Sequence, residues 1–182
     1  RVIWVPGRLD GRRKRVVSLW WPRLASDRAL RVRPMDGPFA LTRKQSKVDR
    51  IYGLNAKGGQ QGLYRGVPCS DARALCPDLQ SRPADPVGDH HFLHVLRRWA
   101  TRYCPWVGLE GADGLVLDIT GAAHPSGGEA MMLANMRQRL SRAGISERIG
   151  LADTRGAAWA LAHYGEGCAD PGRMLEALSN LT

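Results

Sequence analysis

The residues best suited to chemistry in this chain are the carboxylates of Gly111-Ala112-Asp113-Gly114-Leu115-Val116-Leu117-Asp118-Ile119-Thr120-Gly121. A carboxylate on a glycine turn leading into an alternating apolar strand is a setting for hard divalent cations, which take oxygen ligands. Two such ions about 3.5–4 Å apart clamp the attacking and leaving oxygens of a phosphoryl transfer. That reaction needs several acids at one point, and Asp113 looks solitary. With glycines on both sides, Asp113 reads as a turn residue, and the sharper alternative is a vestigial metal ligand. Asp118, between apolar strand neighbours, reads as a structural hydrogen-bonding acid.

Other candidates carry less. His90 and His94 share a helix face with His91 nearby, but no third ligand or His-Glu-x-x-His context accompanies them, so they read as a solvated helix start. Cys69, Cys76, Cys104 and Cys168 form no Cys-x-x-Cys pair and read as separate reduced thiols, with no metal site expected. Gly58, Gly59 and Gly62 lack the pattern of a phosphate loop. Trp20 and Trp21 read as strand-core and interface residues, with stacking on a base as the alternative. Met131, Met132 and Met136 read as core filling on a helix.

The net charge of +10 is uneven. Residues 1–50 hold 14 Lys or Arg against 4 Asp or Glu, and the remainder holds 13 of each. A basic N-terminal part beside a neutral remainder points to a polyanion, with nucleic acid the commonest, and the bland reading is a solvated basic tail at Arg12 to Arg15. Arg43, Lys44 and Lys47 are candidate contacts to a DNA backbone, weighed evenly against a solvated face. No apolar run approaches about 18 residues and no signal-peptide pattern is present, so a soluble, cytoplasmic protein without membrane contact is expected. The initial Arg1 suggests a fragment or a trimmed chain.

These residues need elements to position them. Residues 1–14 read as a loosely ordered basic segment. Arg15 to Trp21 suits a buried strand, and Pro22 suits the first turn of a helix reaching Leu30. Strands are expected at Phe39 to Thr42 and near Val48 to Tyr52, with a glycine turn at Gly58 to Gly62. A helix starts at Pro68 to Ser70 and stops at Pro77; Arg82 to Pro86 reads as a break. Phe92, Val95, Leu96, Trp99 and Tyr103 recur at helical spacing. Trp106 to Leu109 and Leu115 to Thr120 read as a strand pair. Met132 to Ala143 reads as a helix ended by Gly144, Arg148 to Ala152 as a strand, and Thr154 to Tyr164 as a helix capped by Asp153 or Thr154. With residues 39–83 set aside, this order predicts an α+β fold, the split βαββαβ ferredoxin-like arrangement, with an inserted lobe. The fold hosts many functions, so function must come from residues.

The Asp113 element and the stretch Gly62-Leu63-Tyr64-Arg65-Gly66-Val67-Pro68-Cys69-Ser70-Asp71-Ala72 resemble the palm and fingers of Y-family translesion DNA polymerases. The resemblance implies a palm at 15–38 and 84–182 and a fingers lobe at 39–83. Aligning Leu117-Asp118-Ile119-Thr120 with the family's Leu-Asp-Val-Thr puts Asp113 at the first acid of an Asp-Glu pair and Gly114 at the glutamate. On the first strand Ser18 and Trp20 stand where the family has aspartates. Ala56 and Gly59 stand at a triphosphate-binding Tyr-x-x-Arg, and Arg23 at the aromatic that reads the sugar. Arg155 matches a phosphate-contacting lysine, and Arg binds phosphate as well.

A kept scaffold with lost ligands is similar to the ImuB-type proteins of bacterial mutagenesis cassettes, as are Trp20-Trp21-Pro22-Arg23-Leu24-Ala25-Ser26-Asp27-Arg28 and Gly150-Leu151-Ala152-Asp153-Thr154-Arg155-Gly156. That resemblance implies a non-catalytic scaffold in translesion synthesis, with DNA, ImuA, an error-prone replicative-type polymerase and the sliding clamp as partners and the clamp motif beyond Thr182. It implies no cofactor. Two alternatives stay open. One is an active polymerase using Mg²⁺ with relocated acids such as Glu110 or Asp118; the other is an unrelated ferredoxin-like binding module.

Overall fold

The computed structural model describes residues 12–165 and 167–181; residues 1–11, most of the expected basic segment, lie outside the described residues. Strand β1 (Val16–Trp20) occupies the middle of a five-stranded sheet, flanked on both sides by antiparallel neighbours, β6 (Gly114–Asp118) and β7 (Arg148–Ala152). Strand β5 (Val107–Glu110) pairs with β6, and β8 (Gly167–Cys168) adds parallel to β7. The order β5-β6-β1-β7 is that of the expected ferredoxin-like arrangement, so the α+β fold class holds.

Alternation along β1 divides its side chains between two cores. Val17 and Leu19 join Leu115 and Leu117 beneath helices α4 (Pro86–Ala100) and α5 (Glu129–Arg142), which contribute Leu93, Leu96, Met132, Met136 and Leu140. Val16 faces the other way, packing with Ala152 against Ala157, Ala158 and Leu161 of helix α6 (Arg155–Tyr164). Asp85 caps α4 by accepting from the Gly88 amide at 2.9 Å, and Pro86 fits its first turn. At α6 the cap is Thr154, which accepts from the Ala157 amide.

The elements between 39 and 83 build a second sheet, ordered β3-β2-β4 from β2 (Phe39–Gln45), β3 (Val48–Leu54) and β4 (Gln80–Pro83). Helices α2 (Ala56–Gln60) and α3 (Cys69–Leu75) accompany it, and Ala40, Ile51, Leu63, Val67, Ala72 and Cys76 form its core. Phe39 and Leu41 also pack with Ala25 of α1 (Leu24–Val32), which ties this lobe to the first sheet.

The local differences from expectation have physical causes. The glycine stretch is helical rather than a simple turn because Asn55 caps it, accepting from the Gly58 amide at 2.8 Å. The supposed break at Arg82 contains β4, where Pro83 is tolerated on an edge strand. Beyond Tyr164 the chain continues into β8 and α7 (Met174–Ser179), which the periodicity did not reveal.

Arg15 holds that last segment in place. Its guanidinium donates to both oxygens of Glu129 at 2.8 Å, to Asp153 Oδ1 at 2.8 Å and to the Ala169 carbonyl at 2.9 Å. Burial opposes ionisation of Asp153, but the Gly172 amide and Arg15 outweigh it and hold the carboxyl below its ordinary 3.8. A carboxyl depressed by folding contributes its full stabilisation above the unfolded value and loses it as pH falls through the lower folded one. Amide exchange of residues 167–181 is therefore expected to stay slow down to about the free-aspartate value and to accelerate only below it. Loosening that begins well above that pH would contradict the assignment.

Candidate functional site

Pairing of β1 with β6 sets Trp20 opposite Gly114 and brings the end of β1 against the turn that carries Asp113. The Trp21 amide donates to the Asp113 carbonyl at 2.9 Å, and the Trp20 indole Nε1 donates to Asp113 Oδ2 at 3.2 Å. The carboxylate is thus met by a neutral aromatic donor. Gly114 sits so close to neighbouring backbone that a Cβ would stand 2.9 Å from the Glu110 carbonyl oxygen and 3.0 Å from that of Leu19. No side chain fits there without a backbone shift. Ser18 lies two residues before Trp20 on the same face, opposite Val116 and Gly150, and its buried hydroxyl has no hydrogen-bond partner among the described residues.

The two further acids are bonded elsewhere. Glu110 accepts from Arg155 at 2.9 and 3.1 Å, leaving its Oε2 buried without a partner. Asp118 accepts from the Thr120 amide at 3.1 Å and hydroxyl at 2.6 Å, a structural turn as expected. Among the described residues, no three His, Cys, Asp or Glu side chains group into a metal-holding set. A lone carboxylate cannot space and neutralise two divalent ions.

The polar edge of β1 is instead packed with rings. Trp20 stacks on His163 with centroids 4.1 Å apart and planes at 16°, and His163 stacks on Trp159 at 4.1 Å and 22°. The Arg148 guanidinium lies 6.0 Å from the Trp20 ring centre. Reasoning from sequence missed His163 and Trp159; the readable signal was their spacing of four on α6, which puts both on one helix face.

Arg155 stands in the first turn of α6, more than half exposed and paired with Glu110. Arg43, Lys44 and Lys47 are exposed on the β2–β3 hairpin, whose turn takes Ser46 and Lys47 into positive φ. Ala56 and Gly59 lie on α2 beside a recess that also takes in Arg23, Tyr64 and Arg65. A Cβ on Gly59 would meet nothing within 4 Å, so this wall is open. Arg65 reaches across to the Pro22 carbonyl at 3.1 Å. His90 and His94 contact one another, Nε2 to Nε2 at 3.2 Å. Burial pushes the Cys104 thiol up to about 11 and Cys69 and Cys168 up as well, so none is an activated nucleophile.

A central sheet ordered in this way, with a small β-lobe inserted before α4 and an acid-bearing turn against β1, has the fold of the palm and fingers of Y-family DNA polymerases. In fold the chain is similar to a post-insertion binary complex of Dbh DNA polymerase, with a TM-score of 0.79 and 15% identity over 89% of this chain and 50% of that one. It is also similar to DinB from Sulfolobus solfataricus, with a TM-score of 0.71 and 15% identity over 87% of this chain and 48% of that one. The impB/mucB/samB family matches residues 25–163, and the chain belongs to that family. It is 46% identical to protein ImuB of Caulobacter vibrioides over 122 residues, which are 66% of this chain and 27% of that protein. The chain thus spans about a quarter of the length of the curated relative it matches.

Proposed function

We propose that this chain is part of a polymerase-like subunit that keeps the Y-family frame without its metal-dependent reaction and serves as a DNA-associated scaffold in translesion synthesis and mutagenesis. One observation carries the reading: the Trp20 indole, stacked on His163, donates to Asp113 where a metal-dependent site would gather further acids. Likeness to ImuB supports a role in DNA damage tolerance. ImuA, an error-prone replicative-type polymerase and the sliding clamp are the partners this reading carries, with the clamp contact outside this chain. Among the described residues no helix is long and apolar enough to cross a membrane; a cytoplasmic placement follows from work on DNA. The lobe boundaries at 39 and 83 and the palm at 15–38 and 84–182 belong to the same proposal.

DNA contact falls to Arg43, Lys44 and Lys47 on the exposed hairpin and to Arg155, whose exposed guanidinium exchanges Glu110 for a backbone phosphate. Each phosphate neutralised steepens log K against log salt by roughly 0.9. Alanine at residues 43, 44 and 47 together is expected to flatten the slope of duplex binding by about 2–3. A slope unchanged by those replacements would remove the hairpin from the interface.

Primer extension by the whole protein with Mg²⁺ or Mn²⁺ tests the loss of reaction. The expected result is no template-directed incorporation. The active alternative has one observation in its favour, the unpartnered Glu110 Oε2 near the turn. Incorporation abolished by Asp113→Ala would establish that alternative and overturn ours.

A further inference from the structure

The outer faces of α4 and α5 lie on the opposite side of the sheet from Trp20, α6 and the Asp113 turn, because these helices cover the Val17 and Leu19 core while α6 covers the Val16 core. Their sequences hold one carboxylate each, and both are committed elsewhere: Asp89 to Arg28 and Glu129 to Arg15. Arg98, Arg102 and Arg139 therefore face solvent with no acidic partner among the described residues. Arg98 lies in the last turn of α4, and Arg102 in the turn that follows Ala100.

The turn after α4 is tied to α5 where the Tyr103 hydroxyl donates to Asn135 Oδ1 at 2.6 Å, and Arg139 Nε donates to the same oxygen at 3.0 Å. Tyr103 also meets Trp99 edge to face, with ring centres 5.4 Å apart. Arg102 lies over the Trp99 ring, 5.9 Å from its centre, and burial pushes the Tyr103 phenol up with Arg139 and Arg102 opposing. Beside this junction Met131, 62% exposed, and Ala134 line a shallow apolar depression along α5.

We propose that this α4–α5 face docks an acidic segment of a partner protein, its carboxylates on Arg98, Arg102 and Arg139 and an apolar side chain on Met131. Charge complementarity names the occupant's sign, and the apolar depression names its chemistry. Carboxylates match guanidinium forks in pairs, and the depression at Met131, lined also by Ala130 and Ala134, gives an apolar side chain a seat beside Asn135, the residue that Arg139 bonds. Nucleic acid fits less well. Tyr103 is buried and the Trp99 ring carries Arg102, 5.9 Å from its centre, so no free aromatic face is offered to a base.

The inference is independent of the DNA reading and separable from it. The probe is a fluorescein-labelled peptide in which glutamates alternate with leucine and phenylalanine, titrated against the protein beside a thymidine oligonucleotide. Arg102→Ala with Arg139→Ala is expected to weaken peptide binding by about tenfold or more, with the melting temperature and oligonucleotide affinity unchanged. Met131→Ala, or a peptide with alanine in place of leucine and phenylalanine, is expected to weaken it severalfold at constant charge. Peptide binding indifferent to both sets of changes would overturn the proposal. So would an oligonucleotide that competes for the face and loses affinity in the same variants.

Discussion

Replacing Gly150 by valine is expected to destabilise the fold by more than about 3 kcal/mol, lowering the melting temperature by roughly 10 °C. Gly150 lies on β7 beneath α6, and a Cβ there would overlap the Ala158 carbonyl oxygen and stand 2.7 Å from the Ala162 amide nitrogen. Both obstacles are helix backbone, so no rotamer change relieves them. Helix α6 would have to lift from β1 and β7, opening the apolar cluster of Val16, Ala152, Ala158 and Leu161 and separating His163 from Trp20. Near-neutral stability in thermal or denaturant unfolding would mean α6 does not sit this close. Gly59→Ala supplies the contrast within the same chain. That position lies on α2 with open space around its Cβ, so alanine there is expected to gain about 0.5–1 kcal/mol by helix propensity.

Arg15→Ala is expected to cost about 3–5 kcal/mol, since removing one partner of a buried ion pair strands the others. Arg15 is 5% exposed and serves Glu129 at the start of α5, Asp153 before α6, and the Ala169 carbonyl of the last segment. Its loss leaves two carboxylates without their cation and one buried carbonyl without a donor. Arg15→Lys is expected to recover only part of this, because an ammonium cannot form the paired bonds that the guanidinium makes to both oxygens of Glu129. Hydrogen exchange provides a second readout: residues 167–181 should open before β1 and β6 do. Wild-type exchange in that segment, with unfolding midpoints of Arg15→Ala unchanged, would show that the network contributes little.

Both effects arise at positions where distant parts of the chain converge, and this bears on what was readable beforehand. Strand β1, helices α4 and α5 and the β5–β6 pair announced themselves through apolar spacing, because periods of two and near 3.6 are set by backbone geometry within each segment. Amphipathic helices of 15 and 14 residues carry several turns of that signal. Strand β8, with two residues, and α7, with six, carry too little of it, and they hold their places through Leu151, Asp153 and Arg15. Helix α2 was hidden by its glycines, since its start depends on Asn55 rather than on propensity.

The same division runs through the site. Ser18, Trp20 and Gly114 were legible letter by letter, and the resemblance to Y-family polymerases reads them at positions of acids. What fills the space was not. Trp20 meets Asp113, 93 positions further along the chain, and stacks on His163 beyond it, while Arg155 finds Glu110 rather than standing free. Residue identity and local spacing determined which segments form the main helices and strands and which side chains stand at the Asp113 turn. Only the folded chain decided which rings and ion pairs surround Asp113 and Glu110, because such contacts depend on register and helix placement that no local spacing encodes.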